Sequence, residues 1–162
     1  MTGFHELYER YSRDVYRFAL YLSGDAALAD DITSETFIKV WSSPEPVRMA
    51  TVKAYLLTIA RNVWLMELRG GQRRQELDES IADSTQTITR RLELKSELNK
   101  VLRALQELPA LDRAALLMRA DEGLAYEEIA FALGIPVATA KVKVHRARLK
   151  LAKIRDQEGS AK

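Results

Sequence analysis

Across the 162 residues no run of four to eight positions alternates apolar with polar as a half-buried strand must; apolar residues recur at spacings of three and four. That pattern confines the chain to helices. Phe4, Leu7, Tyr8, Tyr11, Val15, Phe18, Ala19 and Leu22 share one face of a helix predicted over roughly Thr2 to Leu22, and Ser23-Gly24 stops it. Asp25 can cap a second helix running to about Trp41, with Asp30 and Asp31 near the positive end of its dipole. Ser42-Ser43-Pro44-Glu45-Pro46 ends that helix, which makes residues 42–50 an exposed loop. A third helix begins near Thr51. Its expected buried stripe is Val52, Tyr55, Leu56, Ile59, Val63 and Met66, and its expected stop is Gly70-Gly71.

From Gly70 to about Thr87 the text is GGQRRQELDESIADSTQT, polar and nearly free of large apolar residues, the composition of a flexible linker. Beyond it, Ile88, Leu92, Leu98, Val101, Leu102, Leu105 and Leu108 predict a fourth helix; Pro109 opens a fifth to about Glu122, with Gly123 as its stop. The predicted fold class is all-α: two small helical domains, 1–70 and 88–156, joined by a flexible linker over 71–87. Only seven Gly and four Pro agree with few turns.

Chemistry is narrowed by what the chain lacks. There is no cysteine and there are only two well-separated histidines, His5 and His145, so thiolate zinc sites, iron–sulfur clusters, cysteine nucleophiles and histidine-rich metal centres are excluded. No nucleophile–base set and no GxxxxGKT loop argue for an enzyme, and no cofactor is implied. The charged opening MTGFHELYERYSRD and the absence of a long apolar run predict a cytoplasmic protein without membrane insertion.

Charge is segregated. Residues 1–47 carry a net −4, 48–74 a net +5, 101–128 a net −3, and 129–155 seven basic residues with no acidic one. Two basic blocks between acidic ones suggest two patches for a polyanion, or simply solvated helix faces.

The second basic block contains a recognisable unit. Tyr126 to Ala132 reads as a short helix, Gly134-Ile135 as a tight turn, and Pro136 to about Ile154 as a longer helix. Such a helix-turn-helix needs a small residue where its helices cross and a glycine in the turn; Ala130 and Gly134 supply them. On the longer helix Val137, Ala140, Val144, Ala147 and Leu151 face inward, leaving Ala138, Val142, His145, Arg146 and Leu149 outward, flanked by Thr139, Lys141 and Lys143. Small side chains near the N-terminal end can approach base edges while flanking cations reach phosphates. An ordinary helical hairpin with a basic exposed face has the same pattern.

Leu108-Pro109 and GLAYEEIAFALGIPVATAKVKVHRARLKL from Gly123 to Leu151 resemble the fourth conserved region of bacterial sigma factors of the extracytoplasmic-function (ECF) group. ADDITSETFIKVW from Ala29 to Trp41 is similar to the family's second-region helix, and AYLLTIARN from Ala54 to Asn62 to the helix that follows it. The resemblance implies a non-catalytic alternative sigma factor that binds core RNA polymerase through the β′ clamp and β flap, reads promoter DNA, and is held by an anti-sigma factor.

By residue, it assigns the polymerase contact to Asp31, Ile32, Glu35, Thr36 and Lys39, with Phe37 and Trp41 as core. The minus-ten element falls to Arg48, Lys53, Arg61 and Asn62, where Asn62 has a buried structural amide as its other reading. The minus-thirty-five element falls to Pro136, Ala138, Thr139, Lys141, Val142, Lys143, His145 and Arg146. Several positions depart from the family. Ser34 stands where glutamine is usual, Ala125 replaces a hydroxyl cap, and Val142 and Lys143 replace serine and arginine, so no relative's promoter sequence transfers. A stand-alone helix-turn-helix regulator remains the alternative, although it would leave 48–74 without a reason to be basic.

Overall fold

A computed structural model describes residues 3–43, 51–77 and 96–160, and among them the regular structure is entirely helical. The helices are α1 (Phe4–Ser23), α2 (Ala26–Ser42), α3 (Val52–Leu77), α4 (Ser96–Gln106), α5 (Ala110–Leu116), α6 (Tyr126–Leu133) and α7 (Val137–Ser160), with a π-helical turn over Leu117–Asp121.

The first three helices form a bundle. Gly24 ends α1 in the left-handed region at φ 71°, returning its N–H to the Leu20 carbonyl at 2.7 Å. Asp25 then caps α2: its Oδ1 accepts from the backbone of Ala27 at 2.9 Å and of Leu28 at 3.1 Å. Such a cap contributes about 1 kcal/mol. Thr51 starts α3 in the same way, accepting from the Ala54 N–H at 3.1 Å. Val15, Phe18 and Leu22 from α1, Ile32 and Phe37 from α2, and Leu56, Leu57, Ala60, Val63 and Trp64 from α3 fill the space between them.

Two expectations for α3 fail. Met66 is exposed rather than buried. It lies nine residues past buried Leu57, about 180° around the helix, because Ala54, Ala60 and Trp64 set the buried face. The helix also continues through Gly70-Gly71 to Leu77. Each glycine costs about 1 kcal/mol relative to alanine, but Glu67, Arg69, Gln72 and Arg73 around them are good helix formers, and two glycines without a capping contact weaken a helix without ending it. The expected linker therefore begins inside a helix. Ile88 and Leu92 lie outside the described residues.

In the second half, Leu102, Leu105 and Leu108 are buried as expected whereas Val101 is exposed. The single helix predicted from Pro109 to Glu122 is interrupted. Pro109 precedes α5, and after Leu116 the chain widens into the π turn, with the Glu122 N–H on the Leu117 carbonyl at 3.0 Å. Helices α6 and α7 join as predicted. Gly134 (φ 67°) donates to the Phe131 carbonyl and Ile135 to that of Ala130 at 3.0 Å, a pair of bonds that closes α6 and redirects the chain. Ala125 provides no side-chain cap; Glu128 Oε1 accepts the Ala125 N–H at 3.1 Å instead.

The two halves touch. α1 packs on α4, α5 and the π turn, and α3 packs on α6, so the buried residues form one continuous cluster.

Candidate nucleic-acid and partner interface

Helix α7 separates its faces as its sequence predicts. Ala140, Val144 and Ala147 are fully buried, Val137 and Leu151 pack partly against them, and Pro136, Ala138, Lys141, Val142, His145 and Arg146 are exposed, with Thr139 half-buried. The helix thus presents small side chains near its start and cations farther along, toward solvent.

Lys143, expected on the outer flank, lies elsewhere in this structure. Its ammonium turns to Asp112 Oδ1 at 3.3 Å and its side chain is only 17% exposed. Arg146 donates from Nε to Asp112 Oδ2 at 3.0 Å, yet 60% of its side chain remains exposed. Asp112, at the start of α5, is itself buried and holds both cations. A carboxylate buried without them would be strongly disfavoured, which is why Lys143 is drawn inward rather than left on the outer flank. No sequence spacing signals a partner thirty-one residues away.

A second feature missed from sequence is Tyr126. The Arg119 guanidinium lies 4.4 Å and the Lys141 ammonium 5.7 Å from its ring centre, so the aromatic face gathers two cations beside the start of α7. Phe131 on α6 is also largely exposed.

The expected minus-ten residues do not converge. Arg48 lies outside the described residues. Lys53 sits on the α1 side of α3, its ammonium 3.0 Å from Glu122 Oε2 and 3.9 Å from Asp14 Oδ2. Arg61 is half-buried, and burial lowers its pKa. Asn62 is exposed, so it is no buried structural amide. Nine residues separate Lys53 from Asn62, placing them on roughly opposite sides of α3.

On α2 the structure divides the expected polymerase contacts. Asp31, Glu35 and Lys39 recur every four residues and are all exposed, together with Ser34 and Ile38. Ile32 and Thr36 are fully buried and cannot touch a partner in this conformation; Ile32 fills the bundle, and the Thr36 hydroxyl is spent on the Ile32 carbonyl at 2.7 Å. Trp41, expected in the core, is 70% exposed and packs edge-on against Phe4 with ring centres 4.8 Å apart. It stands in the last turn of α2, beside the start of α1.

Electrostatically the strongest cluster joins the halves. Arg17 donates to Asp121 Oδ2 at 3.0 Å, Glu122 Oε1 at 3.0 Å and Asp14 Oδ1 at 3.1 Å. Burial pulls the Arg17 pKa down, but the bonds and charges of Asp121 and Glu122 push it up by more. The Glu122 side chain has no exposed surface, and burial raises its pKa despite Lys53 and Arg17 beside it. Among the described residues no group of three His, Cys, Asp or Glu side chains could hold a metal ion, and no helix is long and apolar enough to cross a membrane.

Comparison with known proteins agrees with this arrangement. Residues 7–74 match Sigma-70 region 2 and residues 98–151 match Sigma-70, region 4. The chain is 35% identical over 156 residues to the ECF RNA polymerase sigma factor SigE of Mycolicibacterium smegmatis, covering 93% of this chain but only 61% of SigE. It is 32% identical over 145 residues to the ECF RNA polymerase sigma factor SigL of Mycobacterium tuberculosis, covering 87% of this chain and 82% of SigL. The fold matches that of the sigma factor RpoE from Bartonella quintana, solved in complex with the anti-sigma factor NepR, with a TM-score of 0.80 at 24% identity over 96% of this chain and 98% of that one. With both sigma regions present in order, and with the identity to SigL spanning four-fifths of that protein, the chain belongs to the ECF group of the sigma-70 family of RNA polymerase sigma factors.

Proposed function

We propose that this chain joins core RNA polymerase and directs it to promoters, reading a minus-thirty-five element with α7 and a minus-ten element with α3 and the segment before it. The observation that carries this reading is α7 itself, whose apolar face is buried in its own domain while its small and cationic face is left to solvent. Base edges would be approached by Ala138, Thr139 and Val142. Lys141, His145 and Arg146 would reach phosphate or base, and Pro136 would start the helix against the backbone.

Polymerase docks on the exposed stripe Asp31, Glu35 and Lys39 of α2, at the β′ clamp, and the α4–α7 unit meets the β flap. Arg61 and Asn62 serve the opened minus-ten strand, with Arg48 from the segment before α3, and Lys53 joins them by leaving Glu122. Trapping an unstacked base costs a few kcal/mol, which the new contacts exceed. The chain supplies binding energy and no chemical step. The two modules, the first running through the end of α3 at Leu77 and the second within 88–156, are packed together in the free chain and act on separate promoter elements in the polymerase complex, in the cytoplasm, and an anti-sigma protein holds the free chain, as NepR is bound to RpoE.

In vitro transcription with purified core polymerase on genomic fragments, with start sites mapped, tests this reading. Discrete starts that depend on the chain are expected. Tight duplex binding by the chain alone, with no dependence of transcription on it, would favour a stand-alone regulator instead.

A further inference from the structure

The buried carboxylate of Asp112 ties α5 to α7 through both of its oxygens, and the two cations it holds are not alike. Lys143 turns inward to Oδ1 and supplies the counter-charge that a buried carboxylate requires. Arg146 comes from the outward face of α7, one turn past Val142, and reaches Oδ2 with Nε at 3.0 Å. Its Nη1 and Nη2 groups carry no hydrogen bond to the described residues, and most of the side chain is exposed. A pair so exposed contributes little to stability. What it does is remove freedom. An arginine loses rotamer entropy whenever a ligand fixes it, and here the fold has fixed it before any ligand arrives. A guanidinium held through Nε keeps its two Nη groups side by side in one plane, the geometry that matches the N7 and O6 acceptors of guanine in the major groove.

We propose that Asp112, without touching DNA, is a positioning residue that sets base specificity: by holding Nε of Arg146 it aims the paired Nη donors at a guanine edge of the upstream promoter element. The inference rests on the reading of α7 as the promoter-reading helix made above. An unrestrained arginine at this place reaches phosphates as readily as bases, and phosphate contacts add affinity without discrimination. Lys143 has a different part. It stays with Oδ1 and neutralises the carboxylate, so that the anchor of Arg146 does not present a bare negative charge beside the DNA backbone.

A promoter whose start depends on the full chain and core polymerase is randomised in its upstream element, and the transcripts are sequenced to give the preference at every base pair. The parent shows a guanine preference at one base pair that Arg146→Lys, which keeps the charge and lacks the fork, lowers about tenfold. Asp112→Asn keeps volume and lowers the same preference. Asp112→Leu combined with Lys143→Met removes the acceptor without leaving a buried charge unpaired, and lowers it about fivefold. Lys143→Met alone, with Asp112 still on Arg146, retains it. In the Arg146→Lys chain the Asp112 substitutions change that base pair no further, because their effect runs through Arg146. Preferences at the other upstream positions stay as in the parent throughout. A merely structural Asp112 would lower all upstream preferences together, or act equally with and without Arg146, and either result overturns the proposal. So does a full guanine preference in both Asp112 variants. Unchanged preferences at every base pair in Arg146→Lys overturn it as well while promoter reading by the chain stands; a parent that yields no chain-dependent start removes that reading, and the proposal with it.

Discussion

Replacing Asp112 with Asn isolates the carboxylate that holds α7 to α5. The substitution keeps shape and volume and removes one negative charge, leaving Lys143 and Arg146 facing a neutral amide. A hydrogen bond to a charged group contributes about 1.5–3 kcal/mol when desolvated. Here the two contributions differ. Lys143, at 17% exposure, is close to that condition, whereas Arg146, at 60% exposure, is screened and contributes well under 1 kcal/mol. The expected loss is therefore about 2 kcal/mol, measured by urea unfolding followed by circular dichroism. For a chain of 162 residues with one continuous core such a loss lowers Tm by roughly 4–8 °C. The exposed His5–Glu9 pair provides the contrast: Glu9→Gln should change stability by less than about 0.5 kcal/mol. An Asp112→Asn chain as stable as the parent would refute the view that this buried carboxylate orients the cations of α7.

Three further outcomes follow from the geometry. The Glu122 pKa is raised by burial above its ordinary 4.5, so its contribution to the packed state is complete below 4.5 and lost as pH rises through the raised value; stability relative to Glu122→Gln should fall over that interval, and a rise would contradict the burial argument. Reversing exposed Asp31 and Glu35 to Lys should abolish co-purification with core polymerase while leaving the circular dichroism spectrum and thermal midpoint unchanged; retained assembly would exclude that face of α2. Lys141→Ala should weaken binding to the upstream promoter element within the polymerase complex with little loss of stability, whereas Lys143→Ala should cost stability, because its ammonium is committed to Asp112; the reverse pattern would mean that Lys143 leaves Asp112 for DNA.

The periodic apolar positions made most of the helices legible. Their ends at Gly24, Asp25 and Gly134 were readable because a left-handed glycine or a capping carboxylate acts within a few residues of itself. The outward face of α7 was readable for the same local reason. The errors cluster where distance along the chain was large. Thr36 and Ile32 belong to the stripe that a partner was expected to touch, but their burial depends on α1 and α3. Gly70-Gly71 has the composition of a stop, but the helix runs through it to Leu77, because glycine lowers helix stability by propensity without by itself ending a helix.

The order of most helices, the segregation of charge, and the family were determined by the sequence alone, since each depends on neighbours three or four residues apart or on residue identity, whereas the π turn over Leu117–Asp121 was not. The tertiary structure decided which cations remain available. Lys143 is bound by a carboxylate thirty-one residues away, and Lys53 and Arg17 meet acids from the far half of the chain. A charge in a sequence is a count, but its availability depends on which opposite charge the fold brings within about 3 Å and removes from water.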